Sequence, residues 1–198
     1  MSKTVCIVCL DHFTDIDTFL PWDMLNRVRF RDDGWAVKLI GDKTRHTSIA
    51  GLETPMHGGL TDANAADAVL FTSGAKGILP LLDDDAWLGA FDLDSGRQMI
   101  GSMCMGAAVL AKLGLLDGLT ATTYPTSVPL LQSLGIEIVE EPMIVHGNIA
   151  AAGCLAAQNL SHWVIEGGPE RLPPTMCWPR SFRSARVALH FNQIFENR

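Results

Sequence analysis

Short, nearly all-apolar runs recur along the chain, each closed by a turn signal and followed by a stretch with helical spacing. This alternation constrains the fold more than any other feature. Val5 to Leu10 is a continuous, β-branched apolar run, the mark of a strand covered on both faces. Trp35 to Ile40, Ala68 to Thr72 and Gln98 to Met103 repeat the pattern, and Gly41-Asp42 and Ser73-Gly74-Ala75-Lys76-Gly77 close two of them. Between the first two runs, Ile16 to Phe30 brings Phe19, Leu20, Met24, Leu25 and Val28 onto related helical faces. Residues 44–61 are polar and rich in Gly and Thr, as expected of loops with short hairpin strands. Ile78 to Leu93 is expected to be helical, with Asp83-Asp84-Asp85 supplying the negative charge favoured near a helix start.

Further on, the same reading gives a helix over Met105–Leu113 and a strand over Thr120–Tyr124. A helix over Val128–Leu134 and short strands over Ile136–Val139 and Met143–Val145 follow. A turn at His146-Gly147-Asn148 leads to extended chain over Ile149–Ala152, then helices over Cys154–Glu166 and Phe182–Phe195. Strands alternating with helices require a mainly parallel sheet with helices on both faces, so the expected class is α/β.

At 198 residues, with 47% apolar and 19% charged side chains, the chain suits one domain over 1–198 with a substantial core. A net charge of −7 argues against a general nucleic-acid or anionic-membrane surface. The basic cluster Arg180, Arg183, Arg186 has the spacing of one solvated helix face. The first apolar run is too short for a signal-peptide core, and none reaches the ~18 residues of a membrane span. A cytoplasmic protein is therefore expected. Its 5 cysteines, an odd number without a secretory signal, are expected to be free thiols. Cys6 and Cys9 form a CxxC string, but residues three apart in a strand face opposite ways and cannot clamp one metal. They are expected in the core.

The 6 histidines contain no pair with metal-ligand spacing, and Gly74-Ala-Lys-Gly77 lacks the spacing of a phosphate loop. No metal or cofactor is expected. His46, His162 and His190 read as helix-face or loop residues, and His57 and His146 as surface or hairpin residues. Trp22, Trp163 and Trp178 read as packing or interface residues.

The informative segment is Met99-Ile-Gly-Ser-Met-Cys104-Met-Gly106-Ala-Ala-Val-Leu. An apolar strand ends, a small-residue helix begins, and Cys104 falls at the joint. A nucleophile there sits on a sharp, strained turn above the sheet. The helix start favours thiolate over thiol, and the Met105 N–H stands ready for an oxyanion. Ligands of open α/β sheets bind outside the carboxyl ends of the strands. Asp11 to Asp17 and Ser73-Gly74-Ala75 follow two other strands, so three strand ends are expected to converge. Gly74 permits close backbone approach, making its N–H or that of Ala75 a second oxyanion donor. Asp17 can present a carboxylate to the thiol, and His12 is a candidate for the pocket wall. Ser73 and Ser102 read as small turn residues first.

Four stretches, in this order, resemble the ThiJ/PfpI family of the class I glutamine amidotransferase-like superfamily, over residue 4 to about 166. They are Phe13-Thr-Asp-Ile-Asp17-Thr-Phe-Leu-Pro21-Trp-Asp-Met-Leu25, Val69-Leu-Phe-Thr-Ser-Gly74-Ala-Lys-Gly77, Gly101-Ser-Met-Cys104-Met-Gly106-Ala with Leu113-Gly-Leu-Leu-Asp-Gly-Leu-Thr-Ala-Thr-Thr123, and His146-Gly-Asn-Ile-Ala-Ala-Ala-Gly-Cys154. The resemblance implies a flavodoxin-like three-layer sandwich, a homodimer, Cys104 as reactive nucleophile in an elbow, and Asp17 as the partner acid hydrogen-bonded to its sulfur. A protonated acid there would lower the thiol pKa, whereas an ionised one would raise it.

Two departures matter. Tyr124 stands where many members have His, which weakens readings that need a Cys–His pair and leaves Tyr124 as a hydrogen-bond donor. The Asp-containing subgroup, similar to isonitrile hydratase, uses a Cys-Thr pair, but here Met105 follows the cysteine.

The function expected is a cysteine-dependent hydratase or hydrolase acting on a small electrophile: nitrile-like, isonitrile or reactive carbonyl. The alternative is a non-enzymatic redox-sensing or stress-response protein in which Cys104 is oxidised. A ligand-sensing module of the kind this superfamily fuses to transcription regulators is a third reading, with direct DNA binding disfavoured because no helix-turn-helix segment is apparent.

Overall fold

A computed structural model describes residues 3–167. The expected helix over Phe182–Phe195, the Arg180 cluster, Cys177, Trp178 and His190 lie outside the described residues.

The chain opens with β1 (Lys3–Val8), α1 (Asp15–Asn26) and β2 (Trp35–Gly41). Residues 44–61 contain β3 (Arg45–Thr47), β4 (Glu53–Pro55) and β5 (Gly58–Gly59), the first two paired as a hairpin as expected. Next come β6 (Ala68–Phe71), α2 (Ala75–Leu81), α3 (Asp85–Leu88), β7 (Met99–Met103) and α4 (Gly106–Lys112). The remainder is β8 (Thr120–Ala121), α5 (Val128–Ser133), β9 (Glu137–Ile138), β10 (Met143–His146), β11 (Ile149–Ala152) and α6 (Ala157–Glu166).

Seven strands form one sheet in the order β10-β11-β7-β6-β1-β2-β5, and only the β10–β11 pair is antiparallel. The α/β layering expected from the alternation is present, in the flavodoxin-like form that the resemblance implies. Strand β1 explains the architecture in miniature. Its Val5 and Ile7 pack into one apolar cluster with α1 and α6, while Cys6 and Val8 pack into the other with α4. Each such fully buried Val or Ile side chain is worth ~1.5–3 kcal/mol, which is why the run shows no polar alternation. Cys6 and Cys9 fall in opposite clusters, as their spacing requires. Burial pushes their thiols up to about 11 and about 12 respectively.

Two expected elements are shorter in the structure. The helix expected over Ile78–Leu93 is two short helices, α2 and α3. The break is local chemistry: the Asp84 side chain accepts from the N–H groups of Ala86 and Trp87, both at 3.0 Å, and caps a new helix. The strand expected over Thr120–Tyr124 stops at Ala121 and pairs with β9 outside the main sheet. The hydroxyls beyond it turn to other carbonyls, Thr122 to Glu141 at 2.6 Å and Thr123 to Cys104 at 2.7 Å. His46, expected on a helix face or loop, is instead buried in β3 between the Asp11 and Asp42 carboxylates, at 3.1 and 3.2 Å. His162 lies on α6 and pairs with Glu166 at 2.8 Å. Among the described residues, no helix is long and apolar enough to cross a membrane.

Candidate active site

The order β11-β7-β6-β1 sets four parallel carboxyl ends side by side. Chain leaving β1 goes to β2 and then β5 on one side, and the following crossover reaches β6 on the other. The gap between β1 and β6 is thus a topological switch point, where such sheets bind ligands. Asp17, Ser73, Cys104 and Cys154 follow these four strands in turn.

Cys104 sits one residue past β7 at φ +51°, a left-handed conformation that a side chain rarely adopts. Three bonds hold it there. Its N–H donates to the Ala152 carbonyl at 2.8 Å, and its own carbonyl accepts from the Thr123 hydroxyl at 2.7 Å and the Ala107 N–H at 3.4 Å. The helix after it starts at once because Gly106 has no side chain: a Cβ there would lie 2.6 Å from the Phe71 carbonyl oxygen and 2.8 Å from that of Thr72. The turn therefore has the strand–cysteine–helix form read from the sequence. Cys104 is 9% exposed, at the border of the core and solvent.

Its thiol is pulled down to about 7. The largest cause is a hydrogen bond from the Cys154 thiol; burial opposes it, and the Ser73 hydroxyl and the N–H groups of Met105 and Tyr124 add to it. Cys154 pays the opposite shift, held firmly protonated first by that shared hydrogen bond and then by burial.

Asp17 lies in the first turn of α1 and is fully buried. Four residues on, Pro21 cannot donate to the Asp17 carbonyl, which loosens this turn of the helix. Neither carboxyl oxygen meets a partner in hydrogen-bond geometry. Burial raises the acid to about 8, the Cys104 charge adds to this, and the Cys154 thiol, a loose neighbour, offsets only part of it. The two shifts run in the directions that place a neutral acid beside a thiolate.

The other expected residues fall as follows. The Met105 N–H meets the Cys104 sulfur and also points at the Ser73 hydroxyl at 3.4 Å. Tyr124 meets the sulfur with its main-chain N–H, and its ring is exposed. Gly74, at φ +155°, is packed under the loop after β1: a Cβ would lie 2.4 Å from the His12 carbonyl oxygen. Ala75 is exposed at the first turn of α2. His12 is exposed and lines a recess of ≈190 Å³ with Asp11, Lys43, His46 and Lys76, whose wall contains neither Cys104 nor Asp17. Of the groups at the sulfur, the sequence reading placed Ser73 as a turn residue first and a catalytic candidate last, and passed over Cys154. The place of Cys154 just past an apolar run, parallel to that of Cys104, was the available signal. Among the described residues, no cluster of side chains is arranged to hold a metal.

The pattern that defines the DJ-1/PfpI family matches residues 3–165. An isonitrile hydratase of Pseudomonas putida is 30% identical over 112 residues, which is 56% of this chain and 49% of that protein. The chain thus aligns with about half the length of that relative. An uncharacterised protein of Staphylococcus epidermidis is 25% identical over 158 residues, 77% of this chain and 89% of the relative. Among solved structures, the ThiJ/PfpI domain protein of Brachyspira murdochii superposes with TM-score 0.71 at 18% identity, over 83% of this chain and 96% of that one. Schizosaccharomyces pombe DJ-1 does so with TM-score 0.67 at 16% identity, over 82% and 90%. At these identities the two structures speak for the fold.

Proposed function

The chain belongs to the DJ-1/PfpI family, and from that premise we propose that it is a cysteine-dependent hydratase or hydrolase-type enzyme acting on a small electrophilic molecule. The observation that carries this reading is the nearness of a strained Cys104, its thiol lowered to about 7, to a buried Asp17 raised to about 8, in part by the Cys104 charge. A nucleophile and a proton donor both active near neutrality are what addition to an unsaturated carbon needs.

Isonitriles, named in the description of one relative, fit this chemistry best. The Cys104 thiolate adds to the terminal carbon, and the Asp17 acid delivers its proton to that carbon, leaving a thioimidate. Water then adds to the carbon, with the Asp17 carboxylate taking one of its protons. Collapse expels the thiolate, and the N-substituted formamide leaves with the proton on nitrogen. The N–H groups of Met105 and Tyr124, already aimed at the sulfur, hold the charge that develops beside it. The hydroxyl missing at Met105 has a substitute in Ser73, whose side chain meets both the sulfur and the Met105 N–H. We place the activity in a homodimer, as the family resemblance implies.

The test is turnover of an isonitrile, nitrile and reactive-carbonyl panel by wild type, Cys104→Ala and Asp17→Asn. The reading expects one class to be turned over by wild type, no turnover by the Cys104 variant, and a loss of ~10²–10⁴ for Asp17→Asn. Equal turnover by wild type and Cys104→Ala overturns it.

A further inference from the structure

Cys154 has no task in that chemistry beyond its hydrogen bond to the Cys104 sulfur, yet its position is specific. Strands β7 and β11 run parallel in register, with Met103 opposite Ala152. The Cys104 N–H is bonded to the Ala152 carbonyl at 2.8 Å. The two cysteines therefore emerge from neighbouring strand ends, and neighbouring strands lie ~4.8 Å apart. Cys104 falls opposite Gly153, one residue before Cys154, and a one-residue offset between neighbouring strands falls within the roughly 4.4–6.8 Å between Cα atoms that a disulfide asks for. Each thiol shifts the titration of the other, in opposite directions, and Cys154 is only partly buried. The other described cysteines, Cys6 and Cys9, are fully buried in strand β1 or just past it and are remote from this edge of the site.

We propose that Cys154 is the resolving thiol for Cys104, and that the pair reduces hydroperoxides through an intramolecular Cys104–Cys154 disulfide. The proposal shares the reactive Cys104 with the function above but is independent of the hydratase chemistry. The Cys104 thiolate attacks the distal peroxide oxygen, the O–O bond breaks, and the alkoxide leaves with the Asp17 proton as an alcohol. Cys104 is now a sulfenic acid and Asp17 a carboxylate. Asp17 takes the Cys154 proton, the Cys154 thiolate attacks the Cys104 sulfur, and the S–O bond breaks. The departing hydroxide takes the proton from Asp17 and leaves as water. An external dithiol then supplies the two electrons and two protons that restore a thiol, a thiolate and a neutral Asp17.

The experiment treats the full chain with tert-butyl hydroperoxide, with and without dithiothreitol, and follows peroxide consumption and cysteine peptide masses. Wild type is expected to lose two hydrogens in a linked Cys104–Cys154 peptide and to consume peroxide repeatedly when dithiothreitol is present. Cys154→Ser, which keeps a hydrogen-bond donor at that place, is expected to accumulate added oxygen on Cys104 and to lose repeated turnover. Iodoacetamide labelling of Cys104 in this variant shows whether the thiolate itself survives, so loss of resolution is told apart from loss of the nucleophile. Oxygen accumulating on Cys104 of wild type while Cys154 stays free overturns the proposal. So does linkage of Cys104 to any other cysteine, or the absence of a reaction with peroxide.

Discussion

The main-chain N–H of Cys104 donates to the carbonyl of Ala152 at 2.8 Å, so the turn after β7 hangs from the end of β11. This bond continues the parallel ladder one residue beyond the strand and fixes where the sulfur stands. It also fixes the approach of Cys154, which follows two residues after that carbonyl. Together with the Thr123 bond, it offsets the cost of a left-handed residue, ~1–2 kcal/mol.

Gly106→Ala should damage the site through the backbone. The new Cβ would meet the carbonyl oxygens of Phe71 and Thr72 at 2.6 and 2.8 Å, and neither can swing away. Helix α4 must shift off β6. A loss of ~1–3 kcal/mol is expected by urea unfolding, with slower alkylation of Cys104. Unchanged stability would show that the helix has room.

Thr123→Val removes the hydroxyl that donates to the Cys104 carbonyl at 2.7 Å, in a buried place. The cost expected is ~1–3 kcal/mol for a buried carbonyl left with only the 3.4 Å bond from Ala107. Activity should fall, while Thr123→Ser restores both properties.

Ser73→Ala tests the electrostatics more cleanly. The hydroxyl favours the thiolate, so its loss should move the alkylation midpoint of Cys104 upward from about 7 toward the ordinary 9.0. Stability should change little. A midpoint that does not move removes Ser73 from the site.

Asp17 makes stability depend on pH in a definite direction. Its folded value is about 8 against 3.8 unfolded, so the folded chain holds a proton that the unfolded chain releases. The stability this proton contributes is full below pH 3.8 and is lost as pH rises toward 8. Asp17→Asn should therefore gain on wild type across that window and then level off. The lowered Cys104 thiol acts in the opposite sense at higher pH, so the difference between the two proteins reports Asp17 most directly below the Cys104 titration at about 7. Parallel melting curves at all pH values would mean that Asp17 is ionised in the fold.

Much of this was legible in the sequence, for physical reasons that can be named. Strands β1 and β6 are buried on both faces, so they appear as unbroken apolar runs. The Cys104 turn announces itself because the crowding at Phe71 and Thr72 leaves only glycine at 106. Less legible was anything decided by side chains satisfying distant backbone. Asp84 splitting a helix, and Thr122 and Thr123 ending a strand to reach Glu141 and Cys104, leave no periodic trace. Cys154 was missed and Ser73 ranked as a turn residue first because nearness across strands depends on register, and register is not written in either segment alone.

The central claim is that Cys104 is a thiolate beside a neutral Asp17 at physiological pH. Its most direct test is the rate of iodoacetamide alkylation at Cys104, resolved by peptide mass, as a function of pH. An inflection near 7 is the predicted result, and one at or above 9.0, the value of an ordinary thiol, would contradict the account.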